Sequence, residues 1–162
     1  MTCLMARAAI YPFSSVGRSV GERYPDWIRA LDRRNGVYAI RELGSEDIAY
    51  IGESHSDRLY GTLTRHFQRW SPKYNTAGPT YDRADVEVAV VLVPRSHALY
   101  LQNDLICALE PRDNRLVCGE IFESGDGPDE ILDRPPRGYD YDVLAIIDGL
   151  FYATDDSADA PF

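Results

Sequence analysis

The stretch GVYAIRELGSEDIAYIGES (36–54) limits the possible folds more than any other part of the chain. It holds two short runs rich in β-branched and aromatic residues, Gly36-Val37-Tyr38 and Tyr50-Ile51-Gly52, on either side of the polar ELGSED. Such runs bounded by a Gly-containing turn predict a β-hairpin, with strands over about 36–41 and 47–52. Glycine weakens a strand interior unless something must come close to it. Read by themselves, the tyrosines are half-buried strand residues.

Around the hairpin the periodicity predicts more elements. PDWIRALDRRN (25–35) reads as a short amphipathic helix with Trp27, Ile28 and Leu31 on one face and Asn35-Gly36 as its stop. RLYGTLTRHFQRW (58–70) reads as a helix, with Leu59, Leu63, Phe67 and Trp70 forming one apolar stripe. SPKYNTAGPTYDR (71–83) is a loop, and DVEVAVVLVP (85–94) is a strand that alternates before becoming wholly apolar. SHALYLQNDLICALEP (96–111) reads as a helix with Ser96 as N-cap. The order β-β-α-β-α predicts an α/β domain, a small sheet of about three strands flanked by helices. Residues 1–35 are expected to be an N-terminal extension with a short helix, and 36–118 the core. Residues 119–153 are expected to be a linker and a docking helix, and 154–162 an acidic disordered tail.

The net charge of −9 argues against nucleic acid only until its distribution is seen. Residues 1–119 hold 15 Lys+Arg against 14 Asp+Glu, whereas residues 120–162 hold 2 against 12. The body is free to present a basic stripe. Arg58, Arg65 and Arg69 fall on one side of the 58–70 helix, with His66 at its border. That is either a solvated face or a phosphate-facing stripe. No apolar run approaches the roughly 20 residues that span a bilayer. Three cysteines without metal-ligand spacing suit a reducing cytoplasm.

Taken together these segments resemble the GIY-YIG nucleases. Gly36-Val37-Tyr38 and Tyr50-Ile51-Gly52 match the two name motifs. Arg58, Arg65 and His66 lie where that family carries arginine and histidine, and Leu105-Ile106, Leu109, Pro111 and Asn114 match its last block. The resemblance spans about residues 36–114 and implies metal-assisted hydrolysis of DNA phosphodiester bonds. Tyr38 would accept or relay the proton of the attacking water, and Tyr50 would order the site. Arg58 or Arg65 would offset charge on the phosphate oxygens, and Arg69 and Asn114 would bind substrate. A single Mg²⁺ (or Mn²⁺) would be held by one carboxylate and waters.

The chain departs from that pattern at the metal position, where Gln102 stands in place of glutamate. A neutral amide is a poor Mg²⁺ anchor, because the missing charge was much of the binding energy. Asp104 and Glu110, the nearest carboxylates, point elsewhere on an ideal helix. Three explanations fit: an introduced inactivating change, a natural loss of catalysis, or a natural variant that holds metal differently. The expected function is thus a metal-dependent DNA endonuclease, inactive in this form if Gln102 disarms it. The alternative is a non-catalytic DNA- or protein-binding module on the same scaffold. The ending DDSADAPF also resembles the acidic tip of bacterial single-stranded DNA-binding proteins. That likeness implies Pro161 and Phe162 as an anchor for a partner's basic, apolar pocket.

Overall fold

The computed structural model describes residues 8–19, 21–68, 79–114 and 135–152. Four strands form one antiparallel sheet: β1 (Ala9–Ser15), β2 (Gly36–Glu42), β3 (Ile48–Ser54) and β4 (Val86–Leu92), in the order β1-β4-β2-β3. Among the described residues four α-helices accompany them: α1 (Asp26–Arg29), α2 (Leu59–Thr64), α3 (Ala98–Leu109) and α4 (Val143–Phe151). The expected hairpin is β2-β3, with Tyr38 directly opposite Gly52. The wholly apolar stretch of β4 has its reason in topology, since β4 runs between β1 and β2 and both its faces are covered.

Alternation along the strands divides the core in two. Val37, Ala39, Ala89 and Val91 face Leu101, Leu105 and Ile106 of α3 and Ile146 and Leu150 of α4. On the other face Tyr38, Ile40, Val88 and Val90 meet Ile28 and Leu31 with Leu59, Leu63 and Phe67. The apolar stripe expected on the 58–70 helix is therefore buried as far as Phe67, and Arg69 and Trp70 lie outside the described residues.

Several expectations need correction. The sheet has four strands rather than about three, because AIYPFSS in the N-terminal segment pairs with β4. Pro12 argues against a strand in the sequence, yet β1 is an edge strand and its register shifts between Tyr11 and Ser14, where a residue without an N–H is tolerated. The 25–35 helix is α1 alone, after which tight turns lead to Arg33 in the left-handed region (φ 61°). The 58–70 helix gives way to a 3-10 turn at Arg65–Phe67, and Gln68 is extended. Ser96 does not cap α3; a 3-10 turn at Arg95–His97 precedes the helix and His97 occupies the cap position. Cys107 is disulfide-bonded, contrary to the expectation of free thiols, and Cys3 and Cys118 lie outside the described residues. No helix among the described residues is long and apolar enough to cross a membrane.

Candidate active site

Both motif glycines are explained by what a side chain would strike. A Cβ on Gly36 would lie 2.2 Å from the Val91 carbonyl oxygen, so β4 could not pass. A Cβ on Gly52 would lie 2.3 Å from the Tyr38 hydroxyl and 2.4 Å from its ring. The ring of Tyr38 lies across the bare backbone of Gly52, the partner opposite it in the sheet.

That placement aims the Tyr38 hydroxyl at His66, whose Nε2 is 2.7 Å away. The other ring nitrogen, Nδ1, lies 2.7 Å from the carbonyl oxygen of Pro79. A carbonyl only accepts, so Nδ1 carries the proton and Nε2 of the neutral ring accepts from Tyr38. The line is Tyr38 O–H to His66 to the Pro79 carbonyl, with Tyr38 2% and His66 1% exposed. The same contacts end the helix, because the Tyr81 N–H takes the His66 carbonyl oxygen at 2.6 Å. Tyr50 packs on the imidazole at 4.6 Å between ring centroids and on Tyr38 at 6.2 Å.

Burial sets the electrostatics. It lowers the pKa of His66, so the ring is neutral at pH 7. It holds the Tyr38 phenol well above its ordinary value, helped by Tyr50, Glu53 and Tyr81, with only the Arg65 charge acting the other way. Tyr38 is thus a resting donor, opposite to the lowered phenol a direct base requires. The Tyr50 phenol and the Glu53 carboxyl are also raised, chiefly by burial.

The predicted residues fall into separate groups. Tyr38, Tyr50 and His66 come together, with the exposed Arg65 close enough to act on Tyr38. Arg58 sits at the opposite end of α2, exposed, its N–H donating to Ser54 Oγ. Gln102 lies on α3, which packs on the face lined by Val37 and Ala39, across the sheet from Tyr38. It is 9% exposed. Asp104 receives a hydrogen bond from the Tyr139 hydroxyl, and Glu110 is the exposed left-handed cap of α3. The Asn114 amide is committed to the backbone, accepting from Ile51 N–H at 2.9 Å and donating to Ile51 O at 2.8 Å. Arg69, Pro161 and Phe162 lie outside the described residues.

Sequence reasoning missed Pro79, Tyr81 and Glu53. Only Glu53 carried a signal, its adjacency to the second motif. Tyr81, whose hydroxyl donates to Asp113 at 2.8 Å, sits in an irregular loop.

A single Mg²⁺ does not fit the donors present. Gln102 offers one neutral carbonyl oxygen, and no group of three or more His, Cys, Asp or Glu side chains among the described residues could hold a metal ion. Compared with known proteins, the chain matches no family model, no curated protein and no solved structure.

Proposed function

We propose that the chain is a DNA endonuclease of GIY-YIG type, in a form disarmed at its metal position by Gln102. The observation that carries this reading is the Tyr38–His66–Pro79 line with Tyr50 stacked beside it and Arg65 alongside. The Tyr38 phenol rests protonated, its hydroxyl donating to a neutral, singly oriented imidazole. His66 accepts this hydrogen bond at Nε2, and its Nδ1–H stays on the Pro79 carbonyl, which fixes the direction in which the Tyr38 hydroxyl points. Arg65 favours the phenolate and offers a cation to a phosphate oxygen.

A second reading, a DNA-binding module without hydrolysis, is favoured by two observations. Gln102 lies across the sheet from Tyr38, and the Tyr38 hydroxyl is buried.

Plasmid nicking in Mg²⁺ or Mn²⁺ separates the two. The expected result is no cutting by the chain itself, cutting by Gln102→Glu, and none by Gln102→Glu combined with Tyr38→Phe. If Gln102→Glu binds DNA but never cuts, the endonuclease reading falls and the binding module stands.

A further inference from the structure

Three arginines outside the tyrosine cluster converge at the end of the sheet where β2 begins. The turn after α1 is fastened there by a set of hydrogen bonds. Asn35 Nδ2 donates to Asp57 Oδ1, and Asp57 N–H donates back to Asn35 Oδ1, both at 2.8 Å. Leu59 N–H takes the Arg34 carbonyl, and Val93 N–H takes the Asn35 carbonyl. This joins the turn to the start of α2 and the end of β4, and so sets Arg33 and Arg34 beside Arg58. All three are exposed, and none forms an ion pair among the described residues. Of the acids nearby, Asp57 pairs with Arg95 and Glu53 is hydrogen-bonded to His55, so neither occupies these three guanidiniums. Beside them a hollow of about 390 Å³ is lined by Ala9, Arg33, Arg34, Asn35, Leu92 and Pro94, among others.

From this we infer that the turn of Arg33 and Arg34, together with Arg58, is a second DNA contact that grips the phosphate backbone away from the tyrosine cluster. The inference rests on the DNA reading above and extends it. Seven residues of helical rise put Arg58 and Arg65 about 10 Å apart along α2. One strand of a duplex carries a phosphate about every 3.4 Å of axis, so the two ends of α2 sit roughly three phosphates apart. Arg65 addresses the phosphate at the reaction site, and the turn holds the same backbone further along. The turn fixes the backbone that carries Arg33 and Arg34, and none of the three guanidiniums must first leave a carboxylate partner.

The test is fluorescence anisotropy of a labelled 25-base-pair duplex, read over a range of salt, on the full chain. Arg33→Gln combined with Arg34→Gln is expected to weaken binding at least fivefold and to flatten the salt dependence by about two counterions. Arg137→Gln, on the connection before α4, serves as the control and is expected to change neither. Thermal melting confirms that each variant is folded. Arg33→Lys with Arg34→Lys is expected to keep most of the salt slope, as a purely electrostatic contact requires. If the double glutamine variant keeps the affinity and slope of the parent while Arg65→Gln loses both, the second contact is overturned and the DNA reading survives. If the parent chain shows no salt-dependent binding to duplex, both fall together.

Discussion

One methyl group separates each hairpin glycine from an ordinary strand residue, and the structure says what it would cost. At Gly36 the obstacle is the Val91 backbone, which cannot rotate away; at Gly52 it is a buried ring already tied to His66. Gly36→Ala and Gly52→Ala are each expected to lose about 1–3 kcal/mol of stability in urea unfolding. Gly61, in α2, has nothing within 4 Å of the added carbon, so Gly61→Ala should gain about 1 kcal/mol. A loss at Gly61, or neutrality at both motif glycines, would contradict this packing. Tyr38→Phe strands the acceptor nitrogen of His66 in the core and is expected to cost about 1–3 kcal/mol in the same experiment.

His66 also gives the residue scale a pH dependence. Its folded pKa lies below the ordinary 6.5, so in the window just below that value the unfolded chain binds the proton that the folded chain refuses. The contribution is fully present above 6.5 and is lost as pH falls through that value toward the folded one. Unfolding free energy measured between pH 7.5 and 5 should therefore fall more steeply for the parent chain than for His66→Gln. Equal slopes would mean that the ring is not held neutral. The polar line itself was only half legible in the sequence. The motif marked Tyr38, and the stripe of the 58–70 helix left His66 at a border. The Pro79 carbonyl that fixes the tautomer comes from a loop thirteen residues away, with no pattern to announce it.

Among elements, β2, β3 and β4 were readable as short β-branched and aromatic runs bounded by turn residues, and α3 and α4 from their apolar spacing. β1 was not, because Pro12 breaks the pattern of a strand and only the edge position and the register shift make it acceptable. Arg83 went unremarked for a related reason, since an arginine in a loop reads as solvated. Instead it is 3% exposed and donates to the carbonyls of Val16, Ser19 and Glu22, with its guanidinium 3.9 Å from the Tyr24 ring centroid. It ties the segment after β1 to the turn before β4. Arg83→Leu is expected to cost about 2–3 kcal/mol and to speed proteolysis within residues 16–24. Asn114 holds an element in the same way, covering one backbone N–H and one C=O of Ile51 on edge strand β3. Asn114→Ala should lose about 1–3 kcal/mol in urea. A change of 0.3 kcal/mol or less would leave the amide free for the substrate role that the resemblance implies.

Over the whole molecule, the two ends of α2 give the arginines different partners, Arg65 the tyrosine cluster and Arg58 the sheet end. The family resemblance alone left these two as rivals for one role. What it did mark was Gln102, at the position where the resemblance implies a metal-binding glutamate. Gln102 lies on α3 with 9% of its surface exposed. The central proposal is that Gln102 stands in the metal position of the endonuclease proposed above. Calorimetric titration of Mn²⁺ into the DNA-free chain and into Gln102→Glu tests it directly. No binding by the chain up to millimolar Mn²⁺, and one ion bound by Gln102→Glu, is the expected result. One ion bound by the unaltered chain, or none by either, would contradict it.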